Sequence, residues 1–452
     1  VRLREALRVQ RGDVIAFVGA GGKTSALFRL ADELRAEGWR VVATTTTRVA
    51  IHEAQRAPVT IQVTSDTALI TIRQALDQHG FVFVYRSDDL GRHKVIGLAP
   101  NVVSGLVDAV NSDVLLVEAD GARRLPFKAP YDHEPVIPLG ASLVVPVAGV
   151  DALGQPLDDE HVYNAGRILA RYGFPEGGPL IPPWMAVTIR DPQLGLRGVP
   201  CSARVIPLLN KVAANGYDRA RARRVAQLVL RSSRVDAVAL GAMQSPDDPV
   251  HEVQQRVAAV ILAAGTSTRM GQSKLLLPWD DRTVVETVVA RLIAARVAEI
   301  IVVTGHQADQ VTRLLADLPV RTVHNPAYVH GEMLSSLQVG LLALPATTAA
   351  CLVVMGDQPM IEGRVIGRLL AAYAEGRGDI VLPVHRGQRG HPVLIGQRFW
   401  PDLLALQGGA PRDVIKRYPE QVVEVQVSTD SVLRDIDTPE QYRYERFLAG
   451  LP

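Results

Sequence analysis

The stretch from Val260 to Pro278 constrains the fold more than any other. An apolar run, Val260-Ile-Leu-Ala-Ala264, reads as a buried strand and ends at Gly265; hydroxyls, Arg269, Gly271 and Lys274 follow before a Leu run. Small residues let backbone N–H groups come close to a nucleotide, while a guanidinium and an ammonium offer its phosphates a fork and a point charge. The expectation is a phosphate loop at a strand's carboxyl end, with Leu262, Ala263, Ala264, Gly265, Gly271 and Lys274 binding the nucleotide and Arg269 beside them. Its spacing differs from both the P-loop and the dinucleotide fingerprint.

Strands and helices alternate after this loop. Thr283 to Ala294 is helical by pattern, and Glu299 to Val303 is a strand ending at Thr304-Gly305-His306, where Gly305 joins the expected nucleotide contacts. Val320 to Val323 is a further strand, and Gly331-Glu-Met-Leu-Ser335-Ser336 opens a helix whose hydroxyls suit an anionic substrate. Ala350 to Met355 is a central buried strand followed at once by Gly356-Asp357-Gln358-Pro359. Such a carboxylate is held rigidly at the crevice where open sheets bind ligands, so Asp357 is expected as a metal ligand. His391, in Arg389-Gly-His-Pro392, either bonds a substrate phosphate or caps its turn. Arg412 is a candidate for a phosphate contact. In Asp437-Thr-Pro-Glu440, capping explains Thr438, Pro439 and Glu440 but leaves Asp437 over.

The first half carries its own strand, glycine loop and helix: Val14 to Val18, then Gly19-Ala-Gly-Gly22-Lys23-Thr24, then an amphipathic run to about Gly38. Loop N–H groups would surround an anion, Lys23 would neutralise it and Thr24 could ligate Mg²⁺, making Gly19, Gly22, Lys23 and Thr24 nucleotide-binding candidates. The first glycine of the full P-loop pattern is replaced by Phe17. Arg40 to Ala43 is a second strand, and Thr44 to Thr47 after it reads equally as a ligand edge or as strand-forming residues. Val114 to Val117 ends in Glu118 and Asp120, two carboxylates suited to metal or water positioning. Asn210-Lys211 opens a guanine-reading pattern whose Asp is replaced by Ala213. Arg219 to Arg234 reads as a basic helix with a solvated face. Gln244-Ser-Pro-Asp-Asp-Pro249 is punctuated as a boundary. The fold expected is α/β in two domains: residues 1–250, P-loop-like, and residues 257–452, doubly wound and Rossmann-like.

The second half resembles the nucleotidyltransferases, with their LAAGxSxRMGxxK opening, and most closely the molybdenum cofactor cytidylyltransferases (MocA-like), which also carry GDQP, RGxPVL and DTPE segments. Gln407 to Arg412 departs from that family's GDxGAR, since the acidic residue is lost and Pro411 intrudes. The resemblance implies Mg²⁺ held by Asp357 and Asp437, with Asp435 as the substitute for the latter, and Arg269 and Lys274 on the leaving pyrophosphate. It implies transfer of CMP from CTP to molybdopterin-bound molybdenum. Guanylyl transfer, sugar-phosphate nucleotidyl transfer and non-catalytic cofactor carriage are the alternatives. The first half, through VGAGGKTS, VEADGARRLPFKAP and HEPVIP, resembles the selenium-dependent hydroxylase accessory family (YqeC-like), which implies a molybdenum hydroxylase apoprotein as a partner.

Composition narrows the partners. With 49 basic against 47 acidic residues, a net charge of +2 provides no global field for nucleic acid or anionic membrane. No apolar stretch approaches the ~20 residues that span a bilayer. Cys201 and Cys351 stand far apart without C-x-x-C spacing, which fits a reducing cytoplasm.

Overall fold

The computed structural model describes the chain except residues 65, 66, 104, 215, 330, 331 and 452, together with the side chains of residues 67 and 332. It divides into two compact units, Val1–Gln254 and Gln255–Pro452. Gly331, from the expected helix opening, lies outside the described residues.

The first unit is built on a sheet of ten strands among the described residues. Asp13–Gly19 lies at its middle, flanked in parallel by Leu143–Gly149 on one side and Val114–Glu118 on the other. Beyond Val114–Glu118 come Val41–Thr45, Phe81–Tyr85 and Thr60–Gln62; beyond Leu143–Gly149 come Leu208–Asn210, Val238–Gly241 and Val250–Gln254. Alternate residues of the central strand feed different cores: Ile15 and Phe17 pack with Leu27, Leu30 and Leu34 of the helix Lys23–Ala36, whereas Val14 packs with Ile72 and Leu76. A strand covered on both faces needs apolar residues on both, which explains the unbroken apolar runs.

Three sequence expectations change here. Gln244 to Pro249 is a turn rather than a boundary, because Val250–Gln254 pairs antiparallel with Val238–Gly241, and the first unit therefore runs to Gln254 rather than to residue 250. The basic helix, Tyr217–Val229, is not simply solvated: Arg219 and Arg223 reach Glu252, buried on that last strand, at 2.9 and 2.8 Å. The second strand extends to Thr45, and its hydroxyls tie the backbone together, Thr44 Oγ1 donating to the Val84 carbonyl at 2.7 Å and Thr45 Oγ1 to that of Glu118 at 2.8 Å. Buried hydroxyls seek internal acceptors.

In the second unit the strands run Arg321–His324, Glu299–Thr304, Val257–Ala263, Ala350–Met355, Val393–Gly396, Ile380–His385 and Gln388–Arg389, with Val422–Gln426 beside Ile380–His385. The first four are parallel, and Val393–Gly396 is antiparallel to its neighbours. Ala259 and Ile261 pack under the helices Val284–Ala294 and Gly363–Ala374, while Ala258 and Val260 pack against Glu332–Ala343 on the opposite face. The sheet is thus mixed but wound on both sides. Cys351, buried in it, has its thiol pushed up to about 12 by burial, and both cysteines are free. Among the described residues no helix is long and apolar enough to cross a membrane.

Candidate functional site

Val257–Ala263 and Ala350–Met355 are parallel neighbours, and the chain leaves them toward opposite edges of the sheet. Crevices open at such reversals, at the strands' carboxyl ends. The loop after Ala263 and the Gly356-Asp357 turn emerge there side by side. Gly356 N–H donates to the Leu262 carbonyl at 3.1 Å, and a Cβ on Gly356 would stand 2.9 Å from that oxygen, so no larger residue fits without displacing the loop. Gly305 is confined likewise, its would-be Cβ lying 2.6 Å from the Ala264 carbonyl.

An apolar anchor brings the charged residues in. Met270, Leu277, Trp279, Val284 and Ile436 form a small buried cluster. Arg269 precedes one member, and Asp435 and Asp437 flank another. The Ile436 N–H also donates to the Asp357 carbonyl at 3.3 Å. After Asp437, Thr438 caps the helix Pro439–Leu448 with Pro439 in its first turn, and the Gln441 side chain accepts from the Asp437 N–H at 2.9 Å.

The result is a four-residue ionic constellation. The Lys274 ammonium bonds both Asp357 Oδ2 and Asp437 Oδ1, the latter at 2.8 Å, and Arg269 Nη2 pairs with Asp437 Oδ2 at 2.9 Å. Burial lowers the Lys274 pKa, but the two carboxylates outweigh it and hold the ammonium above its ordinary value. The Lys274 hydrogen bond, helped by Lys274 and Arg269 charge, holds Asp437 below the ordinary carboxylate range. Asp435 goes the other way: burial, then Asp437 and Asp357, raise it. Asp357 is 7% exposed and its Oδ1 has no hydrogen-bond partner among the described residues. His391, its backbone fixed by the Val432 carbonyl at 2.9 Å, has its imidazole pKa lowered by burial against the charge of Asp357, so it is neutral at pH 7.

Other candidates make different contacts. Asn325, which no sequence motif singles out, donates to Ser335 Oγ and Ser336 Oγ at 2.9 and 3.0 Å and is almost wholly buried. Its only signal is its place after a strand, before Pro326. Arg412 is exposed on the short helix Pro411–Ile415, where Pro411 occupies a first-turn position that proline tolerates. Among the described residues, Arg412 joins none of the ion pairs above. Nor is any group of three or more His, Cys, Asp and Glu arranged to hold a metal ion among those residues. Asp357 and Asp437 are two carboxylates, enough for Mg²⁺, which usually takes one or two together with substrate phosphates.

In the first unit the loop Gly19 to Gly22 turns through three positive-φ glycines, and a Cβ on any of them would strike Val147, Gly149 or Asn210. Lys23 is buried; its Nζ donates to the Gly19 carbonyl at 2.7 Å and stands 3.2 Å from Asp120 Oδ1. Burial lowers its pKa, and Asp120 and Glu118 more than reverse this. Thr24 Oγ1 donates to Glu118 Oε2 at 2.8 Å, and burial raises the Glu118 carboxyl. Lys128 completes the group, 3.0 Å from Asp120 and 2.7 Å from Glu134.

Both units are similar to known proteins. Residues 15–166 match the YqeC protein family and residues 259–422 the MobA-like NTP transferase domain. An uncharacterised protein YqeC of Escherichia coli is 32% identical over 241 residues, spanning 52% of this chain and 89% of that one. A molybdenum cofactor cytidylyltransferase of Escherichia coli is 28% identical over 193 residues, 41% of this chain and 93% of its own. Nicotine blue oxidoreductase of Paenarthrobacter nicotinovorans is 32% identical over 193 residues, 41% of this chain and 94% of its own.

Proposed function

The chain belongs to the YqeC family through its first unit and to the MobA-like NTP transferases through its second, and from that premise we propose that the second unit transfers CMP from CTP to molybdopterin-bound molybdenum, releasing pyrophosphate and forming the cytosine dinucleotide of the cofactor. A fold hosts many chemistries, so the reading rests on the site. The observation that carries it is the convergence of Arg269, Lys274, Asp357 and Asp437 at one strand-end crevice.

The acceptor phosphate needs no general base, because a monoester is largely dianionic at pH 7, its second pKa being ~6. The difficulty is bringing anion to anion, which positioning and charge neutralisation solve. Lys274 and Arg269, now paired with carboxylates, are the cations that exchange those partners for the phosphates and the leaving pyrophosphate. Asp357 Oδ1, without a partner among the described residues, and the carboxylate of Asp437, paired with the Lys274 and Arg269 side chains, fit a divalent metal. Those two residues would hold Mg²⁺, and the ion when bound supplies charge neutralisation at the α-phosphate. His391, neutral beside Asp357, retains one N–H to donate to a phosphate oxygen.

Cytosine is favoured over guanine because the methyl of Ala264 narrows the loop where the base must approach. Sterics of this kind are worth about 1–3 kcal/mol, a clear but incomplete preference. The first unit serves maturation of the molybdenum hydroxylase that receives the cofactor. The test is incubation of the purified chain with molybdopterin-bound molybdenum and each nucleoside triphosphate in turn, following pyrophosphate. Release with CTP above the others supports the reading, and release with none, or with all equally, refutes it.

A further inference from the structure

We propose that the glycine loop of the first unit is a second nucleotide site: it takes a nucleoside triphosphate with its divalent cation, the phosphates on the loop and Lys23, the cation between Thr24 and Glu118.

The anion side rests on what the loop already holds. The Gly19 N–H donates to Asp120 Oδ2 at 2.9 Å, Lys128 stands 3.0 Å from the same oxygen, and Lys23 faces Oδ1 at 3.2 Å. The donors that would grip a phosphate thus grip an internal carboxylate, and imperfectly: among the described residues, the buried Oδ1 has no partner in hydrogen-bonding geometry. Beside it begins a 14-residue helix, Lys23–Ala36, with no side-chain cap, so its first-turn N–H groups point outward without intrahelical acceptors. An incoming phosphate displaces Asp120 from Lys23 and takes those N–H groups as well.

The cation side rests on the pairing of Thr24 with Glu118 at the edge of the buried charged group. Two buried ammoniums, Lys23 and Lys128, face three carboxylates, Glu118, Asp120 and Glu134. Glu118 is 9% exposed and is met by a neutral hydroxyl, that of Thr24. A hydroxyl and a carboxylate side by side at the mouth of a phosphate loop form the ligand pair that Mg²⁺ uses when phosphate oxygens complete its shell.

The nucleoside side rests on Asn210. At the end of Leu208–Asn210 it donates to the Gly21 carbonyl at 2.8 Å and accepts from the Met243 N–H at 3.0 Å, so it fastens the segments around Lys211 and Met243 to the loop's flank. These two segments form the wall for a base. Ala213 stands where a guanine-reading carboxylate would be needed, so ATP and GTP bind alike.

Hydrogen–deuterium exchange of the full chain tests this, because it reads each unit separately. The probes are non-hydrolysable ATP and GTP analogues and inorganic tripolyphosphate, each with Mg²⁺ or with EDTA. At a ligand concentration about tenfold above Kd, exchange through local opening slows about tenfold. We expect that slowing in peptides covering 19–28 and 118–128, with both analogues and only with Mg²⁺, and in 210–213 and 242–244 with the analogues but not with tripolyphosphate. Thr24→Val, which keeps Lys23 and the loop glycines, should weaken the Mg²⁺-dependent protection, and Lys23→Ala should abolish it. Protection confined to 260–276, protection indifferent to Mg²⁺, or equal effects of tripolyphosphate and the analogues at 210–213 would each overturn the proposal.

Discussion

Lys274 ties the candidate site together, since one ammonium bonds both carboxylates proposed to hold the metal. Replacing either acid by its amide removes an anionic ligand while keeping its shape, so Asp357→Asn and Asp437→Asn should each slow pyrophosphate release on the order of 10²-fold or more. Near-normal rates in Asp437→Asn would transfer that role to Asp435, whose pKa is raised by burial and then by the nearby charges of Asp437 and Asp357. Lys274→Met leaves two acids facing each other. It should cost about 1–3 kcal/mol in thermal or denaturant unfolding, less than a fully buried pair because Asp437 reaches solvent. Mg²⁺ should then stabilise the variant more than the wild type, and equal stabilisation would mean that the ion does not sit between these carboxylates. The pH dependence has a definite sign. Asp437, whose folded pKa is lowered, contributes stability above its unfolded pKa of about 4 that is lost as pH falls through the folded value. The gap between wild type and Lys274→Met should therefore narrow on acidification below pH ~4, as equilibrium unfolding across pH would show. Arg269, Lys274 and Asp357 are legible in the amino-acid sequence because each stands beside a glycine turn at an apolar strand's end, and Asp437 because a motif resemblance picks out what capping leaves over. Asn325 is not, because its significance lies in the Ser335 and Ser336 hydroxyls that the fold brings to it, and Asn210 is legible only as part of a nucleotide-reading pattern, since its bond to Gly21 spans most of the first unit.

Among the elements, the strand Val250–Gln254 shows where pattern reading fails. Its residues alternate poorly and follow a proline-rich run, so nothing local separates a domain boundary from a hairpin turn; the pairing with Val238–Gly241 and the two arginines on Glu252 decide it. A first-unit fragment ending at residue 249 should consequently unfold or aggregate where one ending at 254 stays soluble, because it loses a buried counter-charge and opens a sheet edge. Equal solubility and equal unfolding midpoints for the two fragments would count against the strand's structural role. The Thr44 to Thr47 cluster is ambiguous for a related reason: β-branched hydroxyl residues suit both a strand and a ligand edge, and only the acceptors chosen by Thr44 and Thr45 settle those two as strand. The central strands are legible throughout, because burial on both faces leaves an apolar run that no solvated element shares.

For the whole molecule, two loops of similar logic stand on two separate sheets, and the reading assigns them different tasks. Residues 255–452 expressed alone should retain cytidylyl transfer. Lys23→Ala in the full chain should spare transfer in vitro and lower hydroxylase activity in a complemented strain; a variant unchanged in both assays would make the glycine loop structural only. The central claim, cytidylyl transfer by the second unit, is tested most directly by competition: wild-type chain, molybdopterin-bound molybdenum, Mg²⁺ and equimolar CTP and GTP, with the pterin product weighed by mass spectrometry. The account predicts the CMP adduct in clear excess, with one pyrophosphate released per adduct. Equal CMP and GMP adducts, or a pterin left unmodified while Asp357 and Lys274 are intact, would contradict it.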